Sequence, residues 1–370
     1  MKLVYISYSR IPSHTANSIH VMKMCQGFIR NGHDLTLFSP DFRNLEMGDV
    51  DPFSFYGVQE KFKLKKIKYF SIKGNSHIYG LTVGVAAKIK RPDLVYGRFL
   101  YGCFWSALMG FPVIYESHSP VSDQGWVAEV IFRKLIRTRS LKRLVVISHA
   151  SKQHYLQEYH IPEHMILVAH DAADKPSNVI SNIGPKNNRL KVGYIGNLYT
   201  GKGADLIIEL AKTCSFADFV VIGGQKEEVA FYMQKSKGIN NLHFIGFRPP
   251  AETELLRASF DVLLGPFQKK VAPSGNKGDI SKWMSPLKIF EYMSAKKLII
   301  VSDLPVLREV LNESNALLVE VDNINAWVSA LIKAQDSQLR ERLATKAYDD
   351  FLGRFTWEAR AKNVLEGFNN

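Results

Sequence analysis

The chain has 370 residues, too many for one compact core, and its 46% apolar content fits two globular domains and excludes a disordered or fibrous chain. Lys and Arg number 48 against 35 Asp and Glu, a net charge of +13 that favours anionic partners; three scattered cysteines, Cys25, Cys103 and Cys214, exclude a disulfide framework or a cysteine zinc site. The run Met1 to Ser7 is strand-like rather than a signal peptide, and the most membrane-like stretch, Phe99 to Tyr115, is broken by Gly102, Gly110 and Pro112 into a buried helix and a strand.

Short apolar runs then alternate with helical segments, the pattern of a parallel sheet covered on both faces. Lys2 to Tyr8 reads as the first strand, and a helix from about Ser18 to Asn31 stops at Gly32. The loop between them, SRIPSHTANS, follows a strand's carboxyl end, where open α/β sheets hold ligands, and Asn17 or Ser18 caps the helix. Leu35 to Ser39 is the second strand. Lys61 to Lys73 alternates Lys with apolar residues, as in a half-buried edge strand guarded by lysines.

Two later strands end in Arg98 and in Glu116 and His118, so both strand ends face the same crevice as the first loop. The block from Phe132 to Arg143 carries an apolar set of Trp126, Ile131, Phe132, Leu135 and Ile136; it is either a solvated basic face or one that lies on an anionic membrane. Strand, turn and helix follow from Leu141 to Leu156, capped by Ser148. His154, His160 and His164 lack the spacing of a helical metal pair. His170 to Arg189, rich in Asn, Ser, Pro and Gly, reads as a linker.

The alternation restarts with a strand at Leu190 to Ile195 and a helix at Ala204 to Thr213. Gly196, Gly201 and Lys202 between them have the spacing of a P-loop, but Gly203 stands where a triphosphatase needs a hydroxyl for magnesium. A loop of this kind at a helix start is still an anion site. Further strands end at Gly224 and at Gly246, Phe247 and Arg248, where Phe247 either stacks on a base or fills the core. Gln268 to Trp283 is a long polar loop expected to order over a ligand.

In the segment SPLKIFEYMSAKKLIIVSDLPVLREV, Ser285 caps a helix with Pro286 in its first turn. Lys288 sits at the positive helix end and Glu291 three residues on, either as an ion pair or as a phosphate and a ribose ligand. Lys296 and Lys297 fall in its last turn, Leu298 to Val301 is a buried strand, and Asp303, Leu304 and Pro305 open the next helix.

This segment resembles the donor-nucleotide segment of the retaining, GT-B fold glycosyltransferases of family 4, the glycosyl transferases group 1. The resemblance implies an α/β fold of two doubly wound Rossmann-like domains facing each other across a cleft: residues 1–172 with a returning helix 355–370 for the acceptor, and 173–354 for the nucleotide-sugar. It implies that Ser285, Leu287 and Lys288 hold the donor diphosphate with Gly196, Asn197 and Lys202, that Glu291 holds the ribose, and that Gly224, Phe247 and Arg248 lie near the nucleotide. His118 would contact the donor sugar, making His118, Lys202 and Glu291 the catalytic set, with Ala16, Asn17, Arg98 and Glu116 on the acceptor side.

Three departures stand out. Trp283 and Asn197 occupy places where the family often has Glu and Arg, and Thr15 to Ser18 replace paired glycines. The implied activity is transfer from a UDP- or GDP-linked sugar to a glycan, lipid-linked or small-molecule acceptor, in surface polysaccharide or glycoconjugate biosynthesis, with retention. Neither metal nor cofactor is expected, nor nucleic acid; the expected place is cytoplasmic, peripheral on an anionic membrane face. The rival readings are a GT-B nucleotide-sugar epimerase and a P-loop-like nucleotide-binding protein.

Overall fold

The computed structural model describes residues 1–42, 47–69, 74–177, 181–185, 187–273 and 278–368. They form two compact units, Met1–Asp171 with Trp357–Asn370, and Ala172–Thr356. The first unit runs β1 (Lys2–Ile6), α1 (Ala16–Arg30), β2 (Asp34–Asp41), α2 (Pro52–Tyr56), β3 (Lys63–Lys68), α3 (Asn75–Lys90), β4 (Leu94–Gly97), α4 (Leu100–Leu108), β5 (Val113–Ser117), α5 (Trp126–Leu135), β6 (Leu141–Val146), α6 (His149–Tyr159) and β7 (Ile166–Val168). Its seven strands are parallel in the order β3-β2-β1-β4-β5-β6-β7. The winding reverses between β1 and β4, and the carboxyl ends of those strands open the crevice where such sheets take ligands.

Local chemistry sets the helix entries. Thr15, rather than Asn17 or Ser18, caps α1, its Oγ1 accepting from the Ser18 amide; Asn17 lies inside the first turn. β3 is an edge strand with Lys63, Lys65, Lys66 and Lys68 exposed, which keeps the edge from pairing further. Its expected continuation over residues 70–73 lies outside the described residues. In α5, Ile131, Phe132 and Leu135 are buried and Trp126 is exposed, so the expected single apolar face divides between core and solvent.

The second unit runs β8 (Leu190–Ile195), α7 (Ala204–Thr213), β9 (Ala217–Ile222), α8 (Lys226–Lys235), β10 (Leu242–Gly246), α9 (Pro250–Arg257), β11 (Val262–Gly265), α10 (Leu287–Ser294), β12 (Leu298–Ser302), β13 (Leu317–Val319), α11 (Ile324–Lys333) and α12 (Ser337–Arg354). Its six parallel strands are ordered β10-β9-β8-β11-β12-β13, with the reversal between β8 and β11. The last helix, α13 (Trp357–Val364), belongs to the first unit and packs on α1. Gly27 makes that approach feasible, because a Cβ there would lie 2.5 Å from the Trp357 carbonyl oxygen.

Several expectations change around α10. Pro286 is the N-cap, with extended backbone and no side-chain cap; Ser285 is buried one residue earlier. The helix closes on Ala295, and Lys296 follows with φ of 52°, so neither Lys296 nor Lys297 lies in the last turn. Asp303 to Pro305 lead into turns rather than a helix, with Asp303 held by Arg308. His170 and Asp171 are not linker: both lie in the first unit, where Asp171 is buried. Residues 178–180 and 186 of the expected linker and 274–277 of the expected loop over the ligand lie outside the described residues.

Candidate functional site

In the second unit, polar groups gather where β8, β10 and β11 end and α10 begins. Lys288, in the first turn of α10, turns its ammonium onto the Tyr194 ring at 3.8 Å and the Phe267 ring at 5.2 Å. Its Nζ is buried and makes no hydrogen bond. Lys202, in the loop before α7, lies 5.4 Å over the same Phe267 ring. Burial draws the Lys202 pKa down to about 8. Burial and then the charge of Lys202 draw Lys288 well below the ordinary lysine value, against an opposing pull from Glu291. The two lysines thus stand close together over one ring, and a phosphate bound beside them would favour the charged form of both.

The backbone leaves that volume open. At Gly196, φ is 153°, and a Cβ would meet Lys288 Nζ at 2.8 Å, so glycine keeps the approach to the ammonium clear. The Leu287 and Lys288 amides head α10, at the helix's positive end. Asn197 accepts the Tyr194 hydroxyl on its carbonyl at 2.6 Å, which fixes the loop through its backbone. Lys202 is followed by Gly203, the αL N-cap of α7, so no hydroxyl stands at the magnesium position of a P-loop. Gln268 and Ala272 donate backbone hydrogen bonds to the Gly201 and Thr200 carbonyls and tie the long loop to this one.

Glu291 and Lys288 do not pair. Glu291 Oε1 lies 3.4 Å from Nη2 of Arg257, a residue of α9 that the sequence reading missed. The Glu291 side chain keeps 22% of its surface exposed, so its carboxylate is oriented but accessible. Gly224 is packed, since a Cβ there would strike Leu198. Phe247 is half-buried and Arg248 exposed, its guanidinium 3.8 Å from Glu252; Phe247 is therefore not a core aromatic. Trp283 is half-buried in the turn before α10.

In the first unit, Asn17, Arg98, Glu116 and His118 line one pocket of about 120 Å³, together with Ser7, Ser9 and Ser117. Ala16, in the first turn of α1, is exposed and is not among the residues lining it. Glu116, at the end of β5, is fully engaged. It accepts from Arg360 at 2.9 Å, from His118 Nε2 at 2.5 Å and from the Tyr96 hydroxyl, and it lies 3.0 Å from His20 Nε2. His20 Nδ1 in turn lies 2.7 Å from Asp171.

Burial alone would raise the Glu116 pKa, but Arg360 and then His20 outweigh it and hold the carboxylate well below its ordinary range. Because that carboxylate is ionised, His118 presents Nε2–H to it, which leaves the lone pair on Nδ1. Burial and then the Arg98 charge depress the His118 pKa to about 3, so the ring is a neutral hydrogen-bond acceptor at pH 7. His20, Glu116 and His118 also have metal-ligand spacing, but the Arg360 guanidinium occupies the same Glu116 oxygen and disfavours a cation there.

His20 and Arg360 were absent from the sequence reading, and Asp171 entered it only within the segment ending the first domain, because the three are far apart in the chain. Their signal was a charged or ionisable residue on an apolar stripe, as with Arg360 between Trp357, Ala361 and Val364.

Residues 18–174 match the model of the Glycosyltransferase Family 4 domain and residues 177–350 that of the Glycosyl transferases group 1 domain. Among curated protein sequences none matches. Solved structures share the fold. Anabaena HepE, crystallised in complex with UDP, superposes with a TM-score of 0.71 at 16% identity, covering 100% of this chain and 99% of its own. Sucrose-phosphate synthase of Thermosynechococcus elongatus gives 0.72 at 13%, covering 99% and 98%. A glycosyltransferase of Rickettsia africae gives 0.71 at 14%, covering 99% of both chains. With both halves matched and the architecture shared, the chain belongs to the GT-B fold glycosyltransferases, with a family 4 domain followed by a group 1 domain.

Proposed function

We propose that this glycosyltransferase moves a sugar from a nucleoside diphosphate to a hydroxyl of a glycan, a lipid-linked glycan or a small molecule, with retention of anomeric configuration. The observation that carries the reading is the buried Lys288 Nζ, which makes no hydrogen bond, beside Gly196 and near Lys202 at the start of α10. HepE, of the same fold, is crystallised with UDP and with UDP-glucose, which supports a nucleotide-sugar as the occupant.

Negative charge builds on the leaving diphosphate as the sugar's C1–O bond breaks. Lys202, Lys288 and the α10 amides would meet it, so fixed charge supplies the main rate term and a metal is not required. Glu291 would accept the ribose hydroxyls, and His118 Nδ1 would accept a hydroxyl of the transferred sugar. Glu116 and Glu291 are engaged with Arg360 and Arg257, and neither is placed as the nucleophile of a double displacement. The acceptor oxygen then adds on the face the diphosphate leaves, and its proton passes to a departing phosphate oxygen.

We also propose that the enzyme works against an anionic membrane, a setting compatible with glycoconjugate assembly. None of the described helices is long and apolar enough to cross a bilayer, but α3 exposes Ile78, Leu81, Val85 and Ile89 as one stripe, Ile89 at 78% of its surface. Trp126 of α5 is 77% exposed. Lys88 and Lys90 end α3, beside the β3 lysines, whose charges depress the Lys90 pKa. Apolar stripe and cations together suit a charged lipid surface.

A thermal-shift screen against nucleoside diphosphates and their sugars tests the donor assignment, because a ligand of the native state raises its melting point. UDP or GDP is expected to raise it. A flat response to both would end the proposal. Proton NMR of the product's anomeric coupling then reports retention or inversion.

A further inference from the structure

The first-unit pocket holds two polar groups that the donor assignment leaves unused. The Arg98 side chain makes no ion pair or hydrogen bond with the described residues, and its Nη1 is buried at the pocket wall. Ser9, only 3% exposed, lines the same wall, and its Oγ has no hydrogen-bond partner. A buried donor left unmet is destabilising, so two in one cavity point to an acceptor that they are built to meet.

The acceptor's charge follows from the surroundings. Glu116, the carboxylate in the wall, has its oxygens committed to Arg360, His118 and Tyr96, and the guanidinium of Arg98 is left uncompensated. The first turn of α1, which brings Asn17 to the pocket, contains no acidic residue and adds the positive end of a fifteen-residue helix. A space of about 120 Å³ takes one small oxyanion and a few waters.

We propose that the first-unit pocket binds an oxyanion of the acceptor, a phosphate ester or a carboxylate close to the attacking hydroxyl, through Arg98 and Ser9. This rests on the donor reading above and narrows the acceptor to an anionic class. Arg98 is in this sense a specificity residue: it selects the acceptor and leaves nucleotide binding alone.

The test titrates inorganic phosphate, and separately acetate, into the full chain saturated with UDP, reading the melting temperature. Saturation keeps the lysine recess of the second unit occupied. Phosphate or acetate is expected to raise the melting temperature further. Arg98→Gln should weaken that response at least tenfold and Ser9→Ala severalfold, with the UDP affinity of both unchanged. No response to either anion, or an Arg98→Gln response equal to wild type, overturns the proposal. If UDP itself fails to bind, the donor reading fails separately, and the same titration is run on Lys288→Met, where a phosphate response lost with Arg98→Gln still supports the pocket. Ser9→Ala guards against misfolding of the arginine variant, since it removes one hydroxyl and no charge.

Discussion

Replacing Lys202 by Met should make the empty protein more stable and the enzyme worse. Burial lowers the Lys202 pKa from 10.5 to about 8. Each unit of displacement is worth about 1.4 kcal/mol, so holding the charged lysine in the fold at pH 7 costs about 3 kcal/mol before discounting for its partial exposure, and about 2 after. The sign follows from proton binding. Between pH 8 and 10.5 the unfolded chain binds the proton and the folded one releases it, so stability rises with pH across that window. Below pH 8 the full cost is present; above 10.5 it is gone.

The melting temperature of Lys202→Met should therefore exceed that of wild type by several degrees at pH 7, and the two should converge as pH approaches 10.5. UDP affinity, by calorimetry at pH 7, should fall about 10- to 100-fold, the value of charge-assisted hydrogen bonds to phosphate. A variant less stable than wild type at pH 7, or one that binds UDP equally, would refute the argument that burying this lysine costs stability and serves phosphate binding.

Glu291→Gln keeps a partner near Arg257 but weakens the ribose contacts; kcat/KM should drop at least 100-fold with the melting temperature within a few degrees of wild type, and near-normal turnover would remove Glu291 from the site. Arg360→Met leaves the Glu116 carboxylate buried and uncompensated, and should destabilise the first unit by about 3 to 5 kcal/mol in urea unfolding. The same pairing puts Glu116's stability contribution above its ordinary titration range, so wild type should lose it as pH falls into the acid limb while Arg360→Met should not show that loss. Ile89→Asp combined with Trp126→Glu should abolish flotation on phosphatidylglycerol vesicles and leave turnover on a soluble acceptor unchanged; retained flotation would dismiss α3 and α5 as the contact face.

The alternation of strands and helices and the basic loops at Lys202 and Lys288 were readable from spacing, because each depends on neighbours a few residues apart, whereas the strand order with its reversals at β1/β4 and β8/β11 joins distant segments and was implied only by the family resemblance. The end of α10 was misread because Lys296 adopts a left-handed conformation that composition does not announce in a lysine. The partner of Glu291 and the net of His20, Glu116, Asp171 and Arg360 were not readable. Those contacts join residues up to 244 positions apart, and only tertiary packing decides which charges meet. Even Tyr194, which carries the Lys288 ammonium on its ring, reads in sequence as one more apolar residue of a strand.

The return of α13 to the first unit has a consequence for how the protein is made. Residues 172–356 are continuous, so that half is able to complete itself while it leaves the ribosome. The amino-terminal half emerges earlier but waits, with the α1 surface around Gly27 uncovered and the Glu116 charge unneutralised, until Trp357 and Arg360 have been translated. The order of synthesis is thus the reverse of the order of completion, and a nascent chain stalled before residue 357 should present a sticky helix face to chaperones.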